Sequence, residues 1–496
     1  MRIKNYEELT NHGNIKGRKI VADIIEAGLS AGNPYNNTLK LLSIKDNKLI
    51  FDNKSMETAG DPRSGPAVYD LDKIGRIFIF AVGKGILYMV KALEDVLGDR
   101  LTGGIALAKH GDIVVTSKVE AAFGGHPVPD ASGIGACRRM LDMAAELKLK
   151  DNDLVITAMG NGCSSLATLP AGNISVEDIM YMNQLCLIDT GMPTADVTLL
   201  RNQTDSFRGG RILRAFRPAQ IVNLYAVAPS GRFNPRYANS YEGFIKGNSW
   251  LPNGPDGTTV EGAIAAANKW GVLEKLPKSI QDYLLNEAKQ NSTLGWEEYE
   301  SYNCRIFSNM PESMSVTAAA VAKAKELGME TIFLTPSTQS EAGPTGHYIA
   351  KLALNSANAG TPFKPPCVLI ETGELIVTVN EETGVGGTNQ EYCAAAAIVI
   401  DGNKRVVISA VDTDGTDGPG GDFHPEATAR GITNLTGGLV DGYTAREARE
   451  KGVDLFKSVK THNTSQALWQ TGSGIAAVQD IGVADFHCIL IMDEDG

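Results

Sequence analysis

The chain has 496 residues, 43% hydrophobic and 21% charged, with a formal net charge of −12, a composition of a soluble globular protein with room for two or three domains. The negative balance argues against a nucleic-acid or anionic-membrane surface, which needs a basic face, but leaves room for a local basic pocket holding an anionic substrate. No window reaches the ~18–20 apolar residues of a spanning helix, and the first residues lack a signal peptide's apolar core. The seven cysteines are scattered without a CxxC pair, so reduced thiols and a cytoplasmic address are expected.

An amphipathic helix is expected over Arg18–Ala27, and a hairpin within Leu39–Phe51. Arg76–Ala81 is a fully apolar strand of the kind buried on both faces of a parallel sheet. It ends in Val82-Gly83-Lys84-Gly85 and enters a helix, which places one ammonium beside a helix N-terminus, a doubly positive spot suited to a phosphate or carboxylate. The spacing is not that of a Walker A loop. A second strand is expected at Gly103–Ala108, with His110 isolated. In Gly124-Gly125-His126-Pro127-Val128-Pro129-Asp130 two prolines hold an extended loop; His126 reads equally as a structural histidine or a ligand contact. A third strand, Asp153–Ala158, enters Met159-Gly160-Asn161-Gly162-Cys163-Ser164-Ser165, a loop whose amides could wrap a phosphate. Cys163 reads as a small-residue substitution or as a reactive thiol at a helix start.

Further along come Arg201, Arg208 and Arg211, an Ala-rich helix over Ser313–Gly328, a strand at Thr331–Leu334 and a helix ending near Asn355. The Pro/Gly-rich 359–366 reads as a linker. Two strands, Cys367–Ile370 and Leu375–Val379, are expected around the turn Glu371-Thr372-Gly373-Glu374. Gly384-Val385-Gly386-Gly387-Thr388-Asn389-Gln390-Glu391 then opens an Ala-rich helix whose N-terminus could hold an anion. A strand over Arg405–Val411 delivers Asp412-Thr413-Asp414-Gly415-Thr416-Asp417-Gly418. Three glycine-rich, carboxylate-bearing turns at strand ends are where open α/β sheets place their chemistry. Phe423–Asn434 looks like an insertion; its His424 and Glu426, with Asp422, lack a metal-ligand spacing.

Glu-Thr-Gly-Glu at 371–374, Gly-Gly-Thr-Asn-Gln-Glu at 386–391 and Thr-Asp-Gly-Thr-Asp-Gly-Pro at 413–419, in this order, resemble the C-terminal (MOFRL-type) domain of the glycerate 2-kinases. The Gly-Lys-Gly turn and the His126 loop extend the resemblance, which spans about residues 15–490. It implies an α/β protein with a Rossmann-like parallel-sheet domain over 1–358, a linker at 359–366, a smaller α/β domain over 367–496, and a cleft between the two. It further implies ATP-dependent phosphorylation of glycerate or a related small anionic hydroxy acid, with Mg²⁺, and is compatible with a homodimer.

Lys84 and Asp414 match catalytic positions, and Asp414 and Asp417 are candidates for metal. Gly160, Asn161, Gly162, Ser164, Gly386 and Gly387 are candidates for the nucleotide phosphates. His126, Arg201, Glu374, Thr388, Asn389, Gln390 and Glu391 are candidates for the substrate. The chain departs from the family where Thr388 replaces an arginine, Asn202-Gln203 a Lys-His pair, and Ala226 an aspartate. A bidentate guanidinium on the transferring phosphoryl is worth on the order of 10³-fold in rate. A lyase or hydrolase built on Lys84, His126 and the carboxylates is therefore the alternative, and a silent ligand-binding homologue a third.

Overall fold

The computed structural model describes residues 1–226, 240–302, 304–310, 314–379, 384–478 and 484–493. The chain divides into two compact units. One takes residues 34–226 and 240–310; the other takes residues 1–33 and the described residues from 314 onward.

The first unit opens with an antiparallel meander of β1 (Leu42–Lys45), β2 (Lys48–Phe51) and β3 (Ala67–Asp70), so the expected hairpin is present with one strand added. Six further strands follow: β4 (Ile77–Val82), β5 (Leu101–Lys109), β6 (Glu120–Gly124), β7 (Leu154–Met159), β8 (Gln220–Tyr225) and β9 (Arg305–Ser308). They form one all-parallel sheet in the order β6-β5-β4-β7-β8-β9. Every residue of β4 and β7 is buried, which explains their unbroken apolar runs. The strand of this sheet that comes first in the chain, β4, lies in its middle, so the chain leaves it toward one edge and later returns through β7 toward the other. Loops leaving two such strands part from each other and open a crevice beyond their C-terminal ends.

The second unit holds a mixed sheet of β10 (Glu330–Thr338), β11 (Cys367–Gly373), β12 (Val406–Asp412), β13 (Gly437–Asp441), β14 (Gly474–Ile475) and β15 (Asp485–Ile491), in the order β10-β11-β15-β12-β13-β14. Only β10 and β11 run parallel; the other pairs are antiparallel. Alternate residues of its strands feed two cores. Leu369, Ile408 and Ile489 pack with helices Ala342–Ala359 and Thr388–Val399. Val368, Ile370, Val407 and Leu490 pack with helices Ile15–Ala31 and Val316–Glu326. The two helices of the first face approach closely at Gly346, where a Cβ would lie 2.2 Å from the Tyr392 carbonyl oxygen.

Three sequence expectations change. Residues 1–33 and 314–358 belong with the C-terminal sheet and not with the parallel sheet, because β10 hydrogen-bonds β11 and helices Ile15–Ala31 and Val316–Glu326 cover one sheet face. The 359–366 segment is the connection between a helix and β11 inside that unit. Leu375–Val379 forms no second strand: β11 already has β10 and β15 on its two sides, leaving no edge for a hairpin partner, and Ile376 makes only an isolated bridge to Glu341. Ser313, the expected start of the Ala-rich helix, lies outside the described residues. Among the described residues no helix is long and apolar enough to cross a membrane.

Residue 18 explains how the N-terminal helix is held. Arg18 and Asp441 form an ion pair at 2.6 Å with both side chains fully buried. The guanidinium also donates to the Leu9 carbonyl, Thr444 Oγ1 and Ser473 Oγ, so its charge is almost completely solvated by the protein. Burial alone would raise the Asp441 carboxyl, but the charge and hydrogen bonds of Arg18 hold it below its usual range. Removing one partner strands the other in the core. Arg18→Met is expected to cost about 3–5 kcal/mol in urea unfolding; a loss below about 1 kcal/mol would show that the pair is not what anchors the helix.

Candidate functional site

The crevice beyond β4 and β7 is shaped by backbone contact. Gly83 and Gly160 lie so close that a Cβ on Gly83 would sit 2.7 Å from the Gly160 Cα. The Gly83 N–H donates to the Leu107 carbonyl (3.0 Å) and the Lys84 N–H to the Asn161 carbonyl (2.8 Å), locking the β4 turn to the strands on each side. Gly162 has a left-handed φ of +74°. A Cβ there would meet the His126 ring at 2.9 Å and Lys84 Cγ at 3.0 Å. Lys84, His126 and the 160–162 turn, assigned from three separate sequence segments, are thus immediate neighbours. The Gly85 N–H is taken by the Asp112 carboxylate at 2.8 Å.

Beneath this crevice lie two buried guanidiniums. Arg201, expected to meet substrate, is turned inward: it donates to Asn183 Oδ1, the Ser164 carbonyl and the Pro127 carbonyl, and burial lowers its pKa to about 9. Arg208 also donates to the Ser164 carbonyl and to Asn202 Oδ1. Ser164 therefore offers its carbonyl to the protein's own arginines, and the Ser165 hydroxyl binds the Pro127 carbonyl. Both contacts tie the His126 loop to the 160–165 turn. Arg211 is likewise engaged by the Asn202 carbonyl and Asn291. Cys163 is fully buried and its thiol is pushed up to about 12 by that burial, which removes the reactive-thiol reading. His110 is not isolated: its Nε2 lies 2.6 Å from Asp130, the residue that caps helix Ala131–Leu147.

In the other unit the acidic turns gather at one end of β11, β15 and β12, where Gly373, Asp485 and Asp412 are register partners. The expected anion cradle at the Thr388 helix is already filled. The Asp417 carboxylate accepts from the Asn389 and Gln390 N–H groups (3.2 and 2.9 Å), from Thr388 Oγ1 (3.2 Å) and from Asn389 Nδ2 (3.3 Å). A Cβ on Gly387 would lie 2.4 Å from that carboxylate, and one on Gly418 2.0 Å from the Gly386 carbonyl. Gly386 and Gly387 thus admit the protein's own acidic turn, which leaves no opening for a phosphate there. Thr388 is committed to the same cap, Gln390 binds the Asp417 carbonyl and Ser465, and Glu391 pairs with His462 at 2.7 Å. Asp414 Oδ1 accepts from the Thr416 N–H and hydroxyl, and Glu374 is exposed.

Sequence reading missed Asp485 and His487. The β15 carboxyl of Asp485 accepts from the Leu375 N–H and Asn389 Nδ2, both at 2.6 Å. His487 Nδ1 and the Tyr392 hydroxyl both reach Glu371 Oε1. Asp485 stands first in an apolar strand, and a carboxylate opening such a strand is the signal that could have drawn attention. As for Mg²⁺, Asp417 does not suit a ligand role because its oxygens are taken by four donors. Among the described residues no cluster of three His, Cys, Asp or Glu side chains is placed to hold an ion.

Burial, with the negative charge of Glu374 beside it, pushes the Asp485 carboxyl up to about 7. A folded value above the unfolded one (about 3.9) means that the stabilising neutral form is fully present below the unfolded value and is lost as pH rises through about 7. Wild type should therefore lose more stability than Asp485→Asn between roughly pH 4 and pH 8. Parallel stability–pH curves in urea melts would refute the shift.

Residues 20–227 match a domain of unknown function (DUF4147), and residues 367–480 match the MOFRL family. The glycerate 2-kinase of Pyrococcus horikoshii is 28% identical over 458 residues, 92% of each chain. The D-glycerate 2-kinase of Thermotoga maritima is 28% identical, covering 87% of this chain and 94% of that one. The crystal structure of glycerate kinase from Thermotoga maritima superposes with a TM-score of 0.67 at 26% identity, covering 96% of this chain and 99% of the other. With both domain matches present in order and the relatives matched over nearly their full length, the chain is similar throughout to the two-domain glycerate 2-kinases.

Proposed function

We propose that this protein is a kinase that transfers the terminal phosphoryl group of ATP to a hydroxyl of glycerate or a related small hydroxy acid. The observation that carries the reading is the convergence of Lys84, His126 and the Gly160–Gly162 turn on one crevice at the switch point of the parallel sheet. Phosphoryl transfer asks mainly for positioning and for positive charge on the migrating group. Lys84 supplies the charge, and the backbone-to-backbone seat of its turn fixes where that charge stands. The resemblance assigns Asp414 a part in the same reaction.

The residues present suit a nucleotide phosphate at the Lys84 turn better than at the Thr388 helix, whose N-terminal amides are taken by Asp417. ATP would supply the phosphoryl group and the leaving ADP. The protein offers no multi-carboxylate cage for Mg²⁺ among the described residues, so no step is assigned through that ion. One observation favours the second reading, a lyase or hydrolase using Lys84 and His126: position 388 carries a neutral hydroxyl committed to Asp417 and no cation for a phosphoryl group.

ADP release measured across a panel of hydroxy acids separates the two readings, and glycerate is expected to give the fastest release. Millimolar ATP should raise the thermal midpoint, since a ligand of the native state must stabilise it; no shift and no ADP would end the kinase reading. Lys84→Ala and Asp414→Asn are each expected to lower turnover by on the order of 10³-fold or more. Rates within tenfold of wild type would place the chemistry elsewhere.

A further inference from the structure

The loop that follows β5 carries a carboxylate into the crevice just described. Asp112 Oδ2 accepts from the Gly85 N–H at 2.8 Å and from the Lys109 N–H at 3.2 Å. Its own N–H returns to the Lys109 carbonyl at 3.1 Å. Gly111, with φ +92°, makes the turn that brings it there. Gly85 directly follows Lys84 and precedes Ile86, the N-cap residue of helix Leu87–Leu97, so its N–H stands beside the helix N-terminus and the Lys84 ammonium, where an anion is favoured. One protein oxygen is therefore doing what a ligand oxygen would do. The segment just beyond is unanchored by apolar packing: Ile113 and Val114 are 57% and 56% exposed.

We propose that Asp112 is a specificity-determining stand-in, a tethered anion that occupies the Gly85 amide beside Lys84 and that an incoming phosphate must displace. The inference rests on the reading of this crevice as a phosphate site. A tethered carboxylate competes at an effective concentration in the millimolar range. A ligand carboxylate brings the same charge and geometry as Asp112, so it gains little by the exchange. A polyphosphate brings more charge and more acceptor oxygens to the Lys84 ammonium and the adjacent amides, and wins the position. Asp112 thus excludes the carboxylate end of a hydroxy acid from the phosphate position and keeps the two ligand ends apart. Once displaced, its loop is left with the two exposed aliphatic side chains at its tip and little apolar contact to hold it.

The test uses the full chain with inorganic pyrophosphate and acetate as probes in calorimetric titrations. Asp112→Ala removes the competitor from a half-exposed loop position, and is expected to bind pyrophosphate about tenfold more tightly than wild type and to acquire measurable acetate binding. Asp112→Glu, which keeps the charge on a longer arm, should fall between them. Lys84→Ala should abolish the gain. Pyrophosphate affinity that is unchanged or weaker in Asp112→Ala, or pyrophosphate binding to neither protein, overturns the proposal. Failure of the kinase reading looks different: no ADP from any hydroxy acid while the pyrophosphate difference persists, in which case the role of Asp112 stands.

Discussion

Lys84 stands where it does because two backbones touch. Gly83 and Gly160 leave no room for a Cβ between them, and that contact joins the loop after β4 to the loop after β7. Everything in the crevice follows from it: the hydrogen bond from the Lys84 amide to Asn161, the closeness of Gly162 to His126, and the placement of a single ammonium at the fork of the sheet. A side chain at Gly83 would part the two loops before it altered any charge. The geometry of this turn is thus set first by steric thinness and only then by electrostatics.

A second theme is that the chain answers many of its exposed amides with its own carboxylates. Asp417 fills the start of the Thr388 helix, Asp112 fills the Gly85 amide, Asp130 caps the helix after the His126 loop, and Asp485 takes the Leu375 N–H. Each satisfies a donor that would otherwise be stranded. The consequences differ with burial. Asp417 is enclosed by four donors and acts as a permanent cap, whereas Asp112 is held from a half-exposed loop. Identical chemistry serves as fixed scaffold in one place and as an exchangeable partner in another.

Much of the fold was legible because the strongest sequence signals are backbone signals. Arg76–Ala81 and Asp153–Ala158, as nearly continuous apolar runs, mark central parallel strands, and β4 and β7 occupy those segments. Gly-Lys-Gly announced a strand-to-helix turn, and that is where it lies. The site was harder to read. A glycine pair ahead of a helix looks the same whether it admits a phosphate or the protein's own Asp417. Arg201 reads as a substrate contact because nothing local reveals that it and Arg208 are both drawn to the Ser164 carbonyl from beneath. The domain boundary was misplaced for a related reason: residues 1–33 sit beside the C-terminal sheet through long-range packing, and the partner of Arg18 lies 423 residues away.

That separation shapes how this unit can be assembled. The apolar face of helix Ile15–Ala31 is covered by helix Val316–Glu326 and, later in the chain, by β12, β13 and β15, so during synthesis its cover is complete only when almost the entire polypeptide exists. Loop closure over such a span is slow and leaves greasy surface uncovered in the interval. The intervening parallel-sheet unit carries its own core and can form in that time. A helix near the start of the chain is then a late arrival, fully enclosed only when the last strand enters the sheet.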